Sequence, residues 1–151
     1  MMNKPNLPKA AGAGIAGTVV MTMMTMVAPM MGMPEMDIPQ MLSGFMGVPV
    51  IVGWLAHFMI GTSFGLMYAY LFVAKLPGAP LIKGALFGLV PWFLAQIMVN
   101  PMMGAGLFAT NTAAPVMMVM GSLMGHVVYG AILGLVYGTG NTTVPRAAHS
   151  R

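Results

Sequence analysis

The sequence predicts an all-α integral membrane protein: a four-helix bundle of two tandem helix hairpins, related by a pseudo-two-fold axis along the membrane normal. Three observations predict it. Charged residues make up 5% of the 151 residues and hydrophobic ones 58%, whereas a soluble domain carries about 25% charged residues to keep its surface in water. With a mean hydropathy of +0.86, most of this surface must face lipid. Four apolar stretches are long enough to cross a bilayer at about 1.5 Å per residue. Finally, the frame His-x3-Gly-x3-Gly-x2-Tyr occurs twice, from His57 to Tyr68 and from His126 to Tyr137, at an offset of 69.

Residues 1–9 form a short polar leader, and the first span runs from Ala10 to Met31. Its apolar run exceeds the roughly 7–15 residues of a signal-peptide core and lacks a small-x-small cleavage site, so a retained helix is expected. The first connection, residues 33–49, holds both acidic residues, Glu35 and Asp37. Asp37 before Ile38-Pro39 resembles a helix start. A short helix over about 38–46, with Met41, Leu42, Phe45 and Met46 on one face, is expected on the membrane surface.

The second span covers Val50 to Ala74, and the Pro- and Gly-containing stretch 75–80 turns the chain into a third span ending at Met103. Pro91 lies inside that span and is expected to kink it. An uncharged connection over 104–114 precedes the fourth span, Pro115 to Gly138. The polar tail 139–151 reads as disordered. The chain is thus one membrane domain, 10–138, with repeats at 10–74 and 81–138.

Lys4, Lys9, Lys75, Lys83, Arg146 and Arg151 all fall on one side of a four-span chain, and Glu35 and Asp37 on the other. The positive-inside rule then puts both termini in the cytoplasm, where the sequon Asn141-Thr142-Thr143 is not modified. Basic residues scattered singly form no nucleic-acid patch, so the expected partners are the lipid bilayer and other membrane subunits or further copies of the chain. With no cysteine, disulfides, thiolate metal sites, iron–sulfur clusters and c-type haem are excluded.

The repeat extends beyond the histidine frames. Pro29-Met30-Met31-Gly32 matches Pro101-Met102-Met103-Gly104 at an offset of 72, which also pairs Gly12-Ala13 with Gly84-Ala85. These motifs, with Gly104-Ala105-Gly106-Leu107-Phe108 after the third span, resemble those of a family of small bacterial four-span membrane proteins of unknown function. The resemblance covers nearly all of 10–138. It implies the fold and a bacterial inner-membrane location, and assigns no activity to any residue.

Gly53, Gly61 and Gly65 in the second span, and Ser122, Gly130, Gly134 and Gly138 in the fourth, recur every four residues beside the histidines. Small residues at that spacing read as packing seams, within the chain or between copies. An ionisable side chain inside a span is costly and usually faces the protein interior. His57 and His126 each lie about 27–30 Å along a helix from the inner basic residues. Met30, Met102, Gln96 and Asn100 are expected at similar depth.

Three readings of the histidines stand open. Each hydrogen-bonds a neighbouring helix, through Asn100, Thr25 or a carbonyl. The pair ligates one b-type haem, or binds copper with methionine sulfur from Met30 and Met102. Or the pair relays protons, a reading weakened by the absence of a carboxylate within a span.

The 21 methionines read either as adaptable apolar filler or as soft-metal donors; in the first span Met23, Met26 and Met30 could share a face, with Met21 and Met24 pointing elsewhere. Tyr68 and Tyr137 are expected at the inner membrane surface, Trp54 near the outer one, and Trp92 against lipid, a partner or a pigment. No serine has an acid within reach, and no phosphate loop is present. The functional expectation is a non-catalytic accessory or structural membrane protein. Haem or copper binding is the alternative, and small-solute or metal-ion transport the third reading.

Overall fold

The computed structural model describes residues 5–139. Lys4, Arg146, Arg151, the sequon and the tail expected to be disordered lie outside the described residues. Four long helical segments carry the spans: Leu7–Met31, Val50–Phe72, Pro80–Met102 and Pro115–Tyr137. Each is long and apolar enough to cross a bilayer, which makes this a multi-pass membrane protein.

The first helix begins at Leu7 rather than Ala10. Asn6 caps it, its side chain accepting from the Lys9 N–H at 3.0 Å, and Pro8 occupies the first turn. Composition placed the boundary where polarity ends; the cap and the proline start the helix earlier. The helix Ile38–Met46 is capped as expected, with Asp37 accepting from Gln40 N–H at 2.9 Å and Gly47 closing it at φ 66°. It packs against the second span. Pro39 and Ser43 are buried where Gly53 of the second span lets the backbone at Pro39 approach closely, while Phe45 and Met46 face outward.

The spans pack in the order second–first–fourth–third. Accordingly 44% of the first span's most apolar window is buried, against 22% of the second's. The glycine seams lie inside the hairpins. A Cβ at Gly65 would meet Ala10 and Gly14, and one at Gly61 would meet Thr18; a Cβ at Gly134 would meet Pro80 and Gly84, and one at Gly130 would meet Gly84 and Gly88. The same contact is made twice, and both copies are used within one chain. Gly138 is not part of the seam; at φ 70° it ends the fourth helix.

Matching those contacts pairs Gly14 with Gly84, an offset of 70, not Gly12 with Gly84. Gly12 faces open space. At the other end the offset of 72 holds. Gly32 and Gly104 sit at φ 80° and 81°, and each N–H returns to the proline three residues before it. Two more residues therefore lie between seam and turn in the third span than in the first. They are accommodated where the third span winds as a π-helix over Ala95–Val99, while the first stays α-helical to Val27. A π segment inserts residues without breaking a helix.

The end of the bundle at which the first helix starts and the fourth ends is filled by aromatic rings. Phe87 of the third span lies 5.2 Å from Tyr68 and 5.0 Å from Phe72, centroid to centroid, and Tyr68 meets Tyr137 edge-on at 5.9 Å. Tyr68 and Tyr137 are 0% and 1% exposed, so they are core residues, not an interfacial belt. Lys83 donates to the Val73 carbonyl at 2.8 Å, tying the end of the second span to the start of the third.

Candidate functional site

Above the aromatic plug the second and third spans part, and the space between them is a cavity of about 240 Å³. Its walls include Ile60 and Phe64 of the second span, Pro91, Leu94, Ala95 and Val99 of the third, and Ser122 and His126 of the fourth. Ile60 and Val99 are 44% and 41% exposed, so the rim opens between those two spans. The short helix roofs it with Met41 and Leu42, and the connection after the third span adds Ala105 and Ala109. That connection is strained: Phe108 and Ala109 sit at φ 49° and 56°, a left-handed backbone that costs a side-chain-bearing residue about 1–2 kcal/mol. The Phe108 ring is held between Trp92 and Phe93, 6.4 Å from each. The Trp92 indole donates to the Val119 carbonyl at 3.4 Å, so it faces the protein.

One wall is polar. Asn100 Nδ2 donates to Gln96 Oε1 at 3.0 Å, and Gln96 Nε2 donates to Ser122 Oγ at 3.2 Å. His126 Nδ1 donates to the Ser122 carbonyl at 2.8 Å. Gln96 is 1% exposed and stands behind the wall, holding Asn100 and Ser122 from the π segment. The first span has no such group, because the residue at the same distance from its outer turn is Met24.

His57 and His126 face a common space. Both line a second cavity of about 70 Å³, together with Thr18, Met21, Pro91 and Tyr129. The partner of His57 is Thr22, not Thr25 or Asn100: its Nε2 lies 2.9 Å from Thr22 Oγ1, whose own hydrogen goes to the Thr18 carbonyl at 2.8 Å. The imidazole is then the donor, which leaves its Nδ1 as a lone pair. In His126 the bond to Ser122 leaves Nε2 as the lone pair. Tyr68 Oη is the buried side-chain polar atom without a partner among the described residues. A volume near 70 Å³ holds an ion or about two waters; it leaves no room for a haem macrocycle between the rings.

Met30 and Met102 are not part of this arrangement. They are 86% and 62% exposed and line none of these cavities. Met23, Met26 and Met30 do share an exposed face. The inward thioethers are those of Met21 and Met36, 9% and 7% exposed.

A third space, about 270 Å³, not expected from the sequence, lies where the first connection meets the first hairpin. It is lined by Glu35, Asp37, Thr22, Thr25, Met26, Met36, Trp54 and His57. The fold thus brings both carboxylates into one pocket with a span histidine. The one available signal was that both acids precede a helix whose cap and proline fix its direction. Among the described residues no three His, Cys, Asp or Glu lie close enough together to hold a metal.

No curated protein and no solved structure matches this chain. The model of DUF6789, described as a family of unknown function, matches residues 5–147, both hairpins and their connections included. The chain belongs to that family.

Proposed function

We propose that the chain is a non-catalytic membrane protein that acts by binding, an accessory protein that holds a lipid-soluble molecule between its second and third spans. The observation that carries this reading is the cavity of about 240 Å³ with an apolar lining, a rim between two spans and one polar wall. Small-molecule sites combine such an apolar enclosure with a few fixed polar groups, in volumes from about 300 Å³ upward, so the occupant is compact. Gln96 engages Asn100 Nδ2 and Ser122; beside His126 and Thr112, the lining offers a ligand the Asn100 carbonyl oxygen. It selects a molecule with a hydrogen-bond donor, such as a hydroxyl, on an apolar body.

The setting is the bacterial plasma membrane with both termini cytoplasmic, supported by Lys9, Lys75 and Lys83 at one end of the bundle and Glu35 and Asp37 at the other. Because the glycine seams are consumed inside the chain, any larger assembly uses other surfaces.

Protein purified from its native membrane, extracted into organic solvent and examined by mass spectrometry, should yield one enriched apolar compound. Ala95→Trp, which fills the cavity, should lower that yield at least about tenfold while the fold is retained by circular dichroism. Equal recovery from Ala95→Trp and the parent would overturn the assignment.

A further inference from the structure

The charges and soft donors of the first hairpin form a series that leads inward. Glu35 and Asp37, at the outer pocket, supply a negative potential that gathers cations at a low-dielectric surface. His57 lines that pocket and also the 70 Å³ cavity behind it. There it meets His126 and the buried Met21. The side chains lining that inner space include two imidazoles and a thioether, with no carboxylate and no thiolate.

Further methionines converge on the same side of the fourth span, against two glycines one turn apart. From the position a Cβ would take at Gly121, the methyl carbons of Met36 and Met33 lie at 2.8 and 2.9 Å; from that at Gly125, those of Met21 and Met24 lie at 3.5 and 3.8 Å. These glycines leave the room that the thioethers occupy. Met23 and Met30 are 62% and 86% exposed and line none of these spaces, so the methionines divide into an outward set and an inward set beside the histidines.

Donor chemistry selects the ion. Ca²⁺ and Mg²⁺ require oxygen ligands, and structural Zn²⁺ takes four ligands, typically Cys, His or carboxylate. Imidazole with thioether suits Cu(I), since soft sulfur ligands select it. We propose that His57, His126 and Met21 bind a single Cu(I) in the inner cavity, reached through the outer pocket at Glu35 and Asp37. Binding involves no redox step, and no lone pair needs to be freed, because the hydrogen bonds to Thr22 and Ser122 hold the opposite ring nitrogens. Such bonds fix the orientation of ligating histidines. His126 and Met21 line both this space and the larger cavity, so the two proposed sites are neighbours with different occupants.

The test is a titration of the purified chain in detergent with Cu(I) kept reduced by ascorbate, in competition with a chromogenic Cu(I) chelator, followed by X-ray absorption. The expected result is one Cu(I) per chain with a mixed nitrogen and sulfur shell. His57→Ala and His126→Ala should each weaken binding at least about tenfold. Met21→Leu, which nearly conserves volume and so keeps the fold, should remove the sulfur from the shell. The Met23→Leu, Met30→Leu combination should bind as the parent does. Absence of stoichiometric binding, binding that survives removal of both histidines, or loss only with the exposed methionines would each overturn the assignment.

Discussion

The hydroxyl of Tyr129 on the fourth span donates to the carbonyl of Gly61 on the second at 2.6 Å, across the first span that lies between them. Gly17 makes this crossing possible. A Cβ there would lie 2.8 Å from both the Tyr129 ring and its carbonyl. One side chain thus links three helices, and its bond ends on a glycine of the repeated frame.

Removing that bond should cost less than closing its passage. Tyr129→Phe is expected to destabilise by about 1 kcal/mol, the usual net value of a hydrogen bond, since the ring still fills its space. Gly17→Ala is expected to cost about 1–3 kcal/mol through overpacking. Unfolding in mixed micelles ranks the two; a larger loss for Tyr129→Phe would contradict the passage described.

The two glycines paired by the sequence alone should behave in opposite ways. Gly84→Ala places a methyl against the Gly130 carbonyl, backbone that cannot turn aside, with an expected loss of about 3 kcal/mol or more. Gly12 faces open space, so Gly12→Ala gains helix propensity, up to about 1 kcal/mol. Thermal unfolding of both variants decides whether the contact register is 70 or 72.

Gln96 holds the polar wall from within the π segment. Gln96→Leu leaves Asn100 and Ser122 without their shared partner and should cost about 1–3 kcal/mol. A double-mutant cycle with Ser122→Ala should return a coupling near 0.6 kcal/mol, the average for hydrogen bonds between spanning helices. No coupling would mean that the two side chains act separately.

Tyr68 is the contrasting case. Its ring is packed between Phe87 and Tyr137, yet its hydroxyl is buried without a partner among the described residues. Tyr68→Phe should be neutral or stabilise by about 1 kcal/mol, because an unmet polar group is removed from an apolar site. A clear loss of stability would show that the hydroxyl has a partner in the membrane.

Sidedness can be read directly, because the chain has no cysteine. In intact cells an impermeant maleimide should label Gln40→Cys and leave Lys75→Cys unlabelled until the membrane is opened. The reverse pattern would invert the proposed orientation.

Composition and periodicity alone determined the number of spans, the hairpin repeat and the cap at Asp37, because lipid solvation and helix capping act on contiguous residues. The same reading placed His57 and His126 at one depth but left open whether they meet. Packing decided that. Tyr129, crossing at Gly17, brings the fourth span against the first, and so puts both imidazoles and Met21 around one space. Packing also decided which methionines are buried, such as Met21 and Met36, and which are exposed, such as Met23 and Met30. The shift from an offset of 72 to 70 was illegible for a related reason: a π turn changes the register of a helix without changing the residue types around it. Depth follows from counting residues along one helix; direction follows only from which helices touch.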